Sequence, residues 1–329
     1  MTVPEPVADV DPVVAEASPA RPGEAPRGRF YIEAGYAFAA IGALLFSTKG
    51  IAIKLAYREP VDATLLLALR MGLAVPIYAV IAAFAVRDIR RRGARLPSSS
   101  LVLKAALVGA LGYWLASYLD FAGLEFISAQ FERLILFTYP LFVVIFGALF
   151  FGLPMRLKAV AAIGLSYVGL AVIFLEKIDE PGSHVAAGAA LVLGSAIAFA
   201  MYQLIAKGII AKLGPRLFTC IAMTGAGVGV FVQFLSTRPL SEIAVVSPRV
   251  WEISVFLAIG ATVLPSFFLN AALHRISAQA NSTIATLSPV MTVVLAVLVL
   301  GERLTLTDIV GTLLVLAGVG WFTLAERRR

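Results

Sequence analysis

The chain has 329 residues, of which 60% are hydrophobic and 14% charged, and its mean hydropathy of +0.92 excludes an ordinary water-soluble domain and indicates an integral membrane protein. A net charge of +7 would suggest nucleic-acid binding in a soluble protein, but basic loops orient membrane spans, so nucleic acid is not an expected partner. A single cysteine, Cys220, and two histidines, His184 and His274, offer neither a disulfide nor a metal-ligand set, so we expect no metal and no cofactor.

The amino-terminal segment and the apolar stretches after it differ sharply in composition. Residues 1–30 are rich in Pro, Ala and Glu and contain no apolar run, which predicts a disordered cytoplasmic tail. A membrane span needs about 20 mostly apolar residues. Ten stretches meet this requirement, at approximately 33–56, 64–86, 101–122, 127–149, 156–175, 186–207, 217–236, 250–272, 277–300 and 306–324. The sequence therefore predicts an all-α integral membrane protein with ten transmembrane helices.

The basic residues that flank these spans are distributed unevenly between the two sides of the membrane. With the amino terminus placed in the cytoplasm, 18 Lys and Arg residues fall on the cytoplasmic side and six on the other. Cytoplasmic loops of membrane proteins carry an excess of Lys and Arg. We therefore expect a multi-pass protein of a bacterial inner (plasma) membrane with both termini in the cytoplasm.

The chain contains an internal repeat. The tetrapeptide Ile-Ser-Ala-Gln occurs at 127–130 and again at 276–279, an offset of 149 residues. The same offset relates Pro140 to Pro289, Gly152 to Gly301 and Gly169 to Gly318. Since each unit holds five spans, the second unit must enter the membrane from the opposite side. The sequence predicts two inverted five-helix repeats, 31–178 and 186–325, an arrangement typical of secondary transporters.

The second unit carries a recognisable motif. Residues 276–319, ISAQANSTIATLSPVMTVVLAVLVLGERLTLTDIVGTLLVLAGV, resemble the EamA domain of the drug/metabolite transporter superfamily. The features that carry the resemblance are the small residues at the start, Pro289, the Gly301-Glu302 pair, Gly311 and Gly318. The first half is similar through Arg70 and the stretch 128–169. The resemblance implies a ten-helix carrier of amino acids, their analogues or other small metabolites.

One position departs from the family pattern. The Gly-Glu pair appears as Gly152-Leu153 in the first copy, so only Glu302 can serve the role of that acid here. The spacing of Thr305 and Asp308 predicts a helix-capping box next to it. This neighbourhood favours a structural role for the turn.

Ionisable residues interrupt the apolar spans. They are Lys49, Arg70, Asp120, Glu132 and Arg133. A charge at the bilayer centre costs about 2.5–3.5 kcal/mol on insertion scales, so such groups usually face a partner or a cavity. Counting residues from the span ends places Lys49, Arg70 and Glu132 at one level, about 8–10 Å deep. The sequence predicts a charged cluster on the outward-facing side.

Three roles for this cluster are open from the residues alone. It could latch helices together, contact the substrate directly, or carry protons through Glu132 or Asp120. Three cations face two acids, so one positive charge has no fixed partner. A carboxylate or phosphate on the substrate could supply that partner.

Other candidate residues lie along the predicted spans. The proposed substrate path or gate consists of the charged residues Lys49, Arg70, Glu132 and Arg133 together with Tyr118, Tyr139, Tyr202, Gln203 and Asn281. Interhelical hydrogen bonds or interface anchoring would account equally for the uncharged members. Pro140 and Pro289 are candidate helix hinges in matching positions of the two halves. Gly109 and Gly225 are predicted to permit close helix packing.

The function expected from these features is secondary transport. An exporter or permease of amino acids or organic anions would work by alternating access between the two repeats. A passive channel or a non-transporting membrane assembly partner is the alternative. An enzyme is not expected, since neither an HExxH nor a GxSxG motif occurs. The expected partners are a small-molecule substrate, the lipid bilayer and a second copy of the chain in a homodimer.

Overall fold

The computed structural model describes residues 29–152, 157–178, 184–273, 275 and 287–327, and every regular element in them is helical. Most of the predicted tail and Asn281 lie outside the described residues. The structure therefore gives no outcome for those two predictions.

Several helices of the first half begin next to a side chain that caps them. Asp62 and Ser128 each accept a hydrogen bond from the backbone N–H three residues ahead, which satisfies a donor that the helix leaves open. The elements are α1 (Arg29–Ala56), α2 (Ala63–Arg91), α3 (Ser99–Gly109), a π-helical segment (Ala110–Leu115), α4 (Ala116–Leu124), α5 (Ala129–Leu136), α6 (Tyr139–Phe151) and α7 (Leu157–Ile178).

The second half follows the same plan. Ser247 caps its middle segment in the same way, through the backbone N–H of Val250. The elements are α8 (Val185–Leu213), α9 (Pro215–Thr237), α10 (Ser241–Ala244), α11 (Pro248–Val255), a π-helical segment (Phe256–Val263), α12 (Leu264–Leu273), α13 (Leu287–Leu295), a π-helical segment (Ala296–Leu300) and α14 (Leu306–Arg327).

The length and apolar surface of the helices suit a lipid bilayer. Within the described residues, seven helices are long and apolar enough to cross a membrane. Shorter apolar helices cover Gly164–Glu176, Ser288–Leu300 and Leu306–Gly318. Large apolar side chains such as Leu149 and Leu298 are exposed on the outside, where a water-soluble protein would be expected to bury them. The chain is an all-helical, multi-pass membrane protein.

The internal repeat is visible in backbone conformation and in packing. Gly152 and Gly301, which the offset of 149 relates, have φ of 65° and 72° and end their helical segments. The π-helical segments 110–115 and 256–263 also fall at nearly equivalent positions. In packing, α1 lies against α12 and α13, and its counterpart α8 lies against α4 and α6. The corresponding helices α2 and α9 contact each other, and so do α7 and α14. Each half thus packs on the other through corresponding helices.

Glycines allow some of these helices to cross closely. A Cβ atom added to Gly109 would lie 2.2 Å from the carbonyl oxygen of Ala222, and one added to Gly225 would lie 2.5 Å from that of Ala106. Both contacts join α3 to α9. Such distances are too short for any side chain, so close packing is the role of these glycines, as predicted.

Candidate functional site

An ion pair between α1 and α4 lies at the centre of the candidate site. The Lys49 ammonium is 2.6 Å from Oδ2 of Asp120, and the two side chains are only 14% and 2% exposed. A pair so poorly exposed is not weakened by water or salt as surface pairs are. Removing either partner would leave the other charge uncompensated in the interior.

Glu132, on α5, is completely buried beside this pair. Its charged neighbours include Asp120, Lys49 and Arg133, yet no described residue donates a hydrogen bond to either of its carboxyl oxygens. The carboxyl group fits there because α1 carries Gly50 at the point of contact. A Cβ atom on Gly50 would lie 3.1 Å from Oε2 of Glu132. The packing of α1 therefore determines how much room this acid has.

Arg133 points towards a different neighbour. Its guanidinium donates a hydrogen bond to the Ser288 hydroxyl of α13, and its Nε has no partner among the described residues. Ser288 also contacts Ser47 of α1, with the two hydroxyl oxygens 3.0 Å apart, and Thr292 donates to the carbonyl of Ser47 at 3.2 Å. These small polar residues join α1 to α13, and the sequence analysis did not single them out.

Arg70 stands apart from the ion pair. Its side chain is 4% exposed, and its guanidinium carbon lies 4.9 Å from the centre of the Phe121 ring. Its hydrogen-bond contact among the described residues is a long one to the sulfur of Met71, at 3.8 Å, and its Nε has no partner among them. This buried cation makes no salt bridge with any described residue. A guanidinium in such surroundings can receive an anion.

Tyr139 and Tyr202 belong to a chain of aromatic rings. The chain runs through Tyr139, Phe199, Tyr202 and Tyr113, with successive ring centres 5.1, 5.5 and 5.1 Å apart. The Tyr202 hydroxyl donates to the Tyr113 hydroxyl at 3.3 Å. This chain connects α6, α8 and the π-helical segment 110–115.

The other predicted path residues have separate surroundings. Gln203 lies beside the Tyr139 hydroxyl, whereas Tyr118 packs against the main apolar core, near Tyr57. Asn281 lies outside the described residues. Among the described uncharged candidates, Gln203 thus joins Tyr139 and Tyr202, whereas Tyr118 packs against the main apolar core.

Of the two candidate hinge prolines, Pro140 occupies the first turn of a helix. The helical segment breaks after Leu136, and Pro140 lies in the first turn of α6. Proline is tolerated there because the first turn has no use for its missing N–H. The break in the first half therefore precedes Pro140, and Pro140 itself does not bend a continuous helix. Pro289 lies in the described part of α13, and residues 276–286 before it are outside the described residues.

One end of the helix bundle is closed by contacts between helix termini of the two halves. Glu302 accepts a hydrogen bond from the backbone N–H of Ala129 at 2.9 Å, and Arg58 donates to the carbonyl of Leu300 at 3.0 Å. Lys54 donates to two backbone carbonyls at the turn between α4 and α5. We call this set of contacts the terminal latch. It lies at the end of the bundle nearest to the ion pair.

The turn after Glu302 contains the predicted capping box. The Asp308 N–H donates to the Thr305 hydroxyl at 3.0 Å, and the Thr305 N–H donates to the Asp308 carboxylate at 3.2 Å. The prediction is confirmed. The turn starts α14 and holds Glu302 where it can reach α5.

In this conformation Asp120 and Glu132 are buried, whereas Lys49 and Arg133 are partly exposed. Shallow hollows of about 520 and 650 Å³ open elsewhere on the surface, one beside Arg87 and Arg90 and one beside Glu59 and Arg249. Neither hollow includes Lys49, Asp120 or Glu132. Among the described residues, no three His, Cys, Asp or Glu side chains gather as a metal site would require.

The sequence of each half matches the same family of known proteins. The sequence model of the EamA-like transporter family matches residues 33–175 and again residues 186–324. The chain belongs to the EamA-like transporter family. Its two matches correspond to the two halves that pack on each other.

Two relatives of this chain are named as transporters. The uncharacterized transporter YcbK of Bacillus subtilis (strain 168) is 28% identical over 290 residues, 84% of this chain and 89% of the relative. An uncharacterized transporter of Clostridium kluyveri is 25% identical over 296 residues, 86% and 91% of the two chains. A solved protein crystal structure with 18% identity has a TM-score of 0.59, covers 90% of this chain and 98% of its own, and shares the fold. The EamA protein described here is a membrane transporter.

Proposed function

We propose that this EamA-family protein is a secondary transporter, an exporter or permease, that moves small organic anions or amino acids by alternating access. Ten membrane crossings form two inverted five-helix repeats, residues 31–178 and 186–325. Both termini lie in the cytoplasm, and the protein resides in the bacterial inner membrane. The exchange of neighbours between α1 and α8 supports the inverted arrangement.

The observation that carries the proposal is a buried guanidinium, that of Arg70, and a half-buried one, that of Arg133, neither of which makes a salt bridge with a described residue. Arg70 lies against an aromatic ring, and Arg133 donates only to a hydroxyl. Buried cations are costly unless they are paired. A carboxylate or phosphate on the substrate would complete both environments.

One feature supports alternating access. The cluster is enclosed at one end by the terminal latch, which joins helix ends of both halves. Small movements of one repeat against the other would break these contacts and open the path at that end. The substrate would then exchange with water on one side at a time.

A ligand screen followed by counterflow tests the proposal. Purified protein is first screened for a rise in melting temperature with amino acids, organic anions and nucleosides, because a ligand that binds only the folded form stabilises it. Vesicles containing the protein are then loaded with an unlabelled ligand from the screen, and accumulation of labelled ligand is measured. A carrier accumulates label transiently; a channel only equilibrates it, and an assembly partner takes up none.

Matched variants test whether the charged cluster takes part in transport. Lys49→Met should abolish counterflow, because it leaves Asp120 without its cation. Lys104→Met changes an exposed lysine of α3 and should preserve counterflow. Equal counterflow by both variants, at equal amounts in the vesicles, would remove the cluster from the transport mechanism.

A further inference from the structure

The last turn of α2 carries three arginines on one exposed face of the helix. Arg90 and Arg91 follow Arg87 by three and four residues, so the three side chains project from the same side, and all three are exposed. We call these three residues the α2 arginines. The segment 87–95, which contains them, holds five arginines and a single acid. This end of α2 is therefore strongly positive.

The single acid of this segment faces another helix. Oδ2 of Asp88 lies 3.6 Å from a guanidinium nitrogen of Arg216 on α9. None of the α2 arginines forms a salt bridge with a described residue. The corresponding end of α9 differs, because its arginine, Arg238, contacts both Asp62 and Glu242. The charge at the end of α2 is thus exposed, whereas that at the end of α9 is paired.

The same face of α2 is apolar in the turns before the arginines. Val80 and Phe84 are 57% and 55% exposed, and Ala83 between them is exposed as well. The shallow hollow of about 520 Å³ is lined by Ala83 and Val86 together with the α2 arginines. An apolar wall that ends in a group of guanidiniums matches the two parts of an anionic phospholipid, its acyl chain and its phosphate.

The length of α2 places the arginines at the level of lipid headgroups. A helix of 29 residues is about 43 Å long, whereas the hydrocarbon core of a bilayer is about 30 Å thick. The amino end of α2 lies beside the terminal latch, where Glu125 accepts a hydrogen bond from the N–H of Ala63. The last turns therefore extend beyond the hydrocarbon core at the opposite end of the bundle, where the phosphates lie.

We propose that this face of α2 binds one anionic phospholipid. The α2 arginines hold its phosphate, and one acyl chain lies along Val86, Ala83 and Val80. Guanidinium groups bind phosphate oxygens through paired N–H donors. Clusters of basic residues directly beside a membrane span recognise anionic headgroups in this way. The site lies outside the charged cluster and does not depend on which substrate is transported.

Native mass spectrometry of the full-length protein tests the site. The purified protein is titrated with equal amounts of phosphatidylglycerol and zwitterionic phosphatidylcholine, and it should retain phosphatidylglycerol preferentially. Each Lys or Arg beside an anionic leaflet favours binding by about fivefold at room temperature. The triple variant Arg87→Gln, Arg90→Gln and Arg91→Gln should therefore bind phosphatidylglycerol on the order of 100-fold more weakly, with little change for phosphatidylcholine.

A second triple variant separates a site from general surface charge. Arg92→Gln, Arg95→Gln and Lys104→Gln remove the same amount of charge from exposed residues at the same end of the protein, outside the lining of the hollow. This variant should keep the preference for phosphatidylglycerol. Equal losses of affinity in the two triple variants would show non-specific attraction and overturn the site. A wild-type protein that retains the two lipids equally would also overturn it.

Filling the hollow tests the position of the acyl chain. Ala83→Phe places a ring in the hollow and should weaken the binding of phosphatidylglycerol while every charge stays in place. Ala190→Phe adds the same ring to an exposed position of α8 and should have no effect. Binding by Ala83→Phe equal to that of the wild type would refute the proposed position of the acyl chain.

Inorganic phosphate distinguishes a lipid from a free anion. It offers the same oxygens to the α2 arginines but has no acyl chain for the apolar wall. Added at the concentration of the lipid, it should not displace phosphatidylglycerol from the wild-type protein. Displacement at that concentration would assign the arginines to a free anion and refute the lipid site.

Discussion

Oε1 of Glu302 accepts a hydrogen bond from the backbone N–H of Ala129 at 2.9 Å, so an acid of the second repeat caps a helix of the first. Ala129 is the first residue of α5, the helix that carries Glu132 and Arg133. The contact therefore connects the terminal latch to the charged cluster through three residues of one helix. Any opening of the latch would move the end of α5.

Replacing Glu302 should weaken the folded protein. Glu302→Ala leaves the N–H of Ala129 without its partner, and losing such a cap costs about 1 kcal/mol. We expect a lower melting temperature for this variant in detergent. Glu252→Ala, which removes an exposed carboxyl group of α11, is the control and should melt like the wild type. Equal melting of both variants would show that the cap contributes no stability.

A double-mutant cycle should detect the interaction between Lys49 and Asp120. Lys49→Met or Asp120→Asn alone breaks a buried pair, for which about 3–5 kcal/mol is usual. The double variant removes both charges and should be more stable than the sum of the two losses predicts. Thermal unfolding of the four proteins measures this difference. Additive losses would mean that the two charges do not interact.

Gly50→Ala should impair transport through Glu132. The added methyl group would lie 3.1 Å from Oε2 of Glu132, so the carboxyl group must move by a few tenths of an ångström. We expect slower counterflow. Gly164→Ala adds the same methyl group to α7 where no atom lies within 4 Å, and it should leave counterflow unchanged. The result would contradict the prediction if the two variants were equally active.

Glu125 should make stability depend on pH. This acid lies in the turn after α4, accepts a hydrogen bond from the Ala63 N–H at 2.8 Å, and has its pKa raised above the ordinary 4.5 because its carboxyl group is partly shielded from water. A raised pKa means that the folded state holds the proton more tightly than the unfolded state. Its contribution to stability is therefore present below pH 4.5 and declines as the pH rises through the folded pKa. The difference in melting temperature between wild type and Glu125→Gln, measured across this range, should follow that decline. A difference independent of pH would contradict it.

Features that depend on neighbours in the chain were predictable. The capping box of Thr305 and Asp308 follows from a spacing of three residues. The positive φ angles of Gly152 and Gly301 follow the repeat offset, because glycine adopts this conformation with little strain where a helix must end. The close approach at Gly109 was predictable because a residue without a side chain in an apolar helix usually marks a crossing.

Features that depend on helix packing were not predictable in the same way. The π-helical segments carry no composition that distinguishes them from α-helix. Ser47 and Thr292 are small polar residues in apolar stretches, a pattern that can mark a contact between helices. Gly50 could have been noticed only by knowing that Glu132 faces it. Arg70 was predicted to lie level with Lys49, but depth along the helix did not reveal that it packs on Phe121.

Composition, loop charges and the repeat, all readable along the chain, determined that this is a helical membrane protein built from two related halves. They also identified which ionisable residues lie within its apolar stretches. Only the tertiary structure decided that Lys49 pairs with Asp120, 71 residues away, while Arg133 turns to Ser288, 155 residues away. The physical reason is that a helix sets the direction of a side chain about its own axis. Which partner lies in that direction depends on how distant helices pack together.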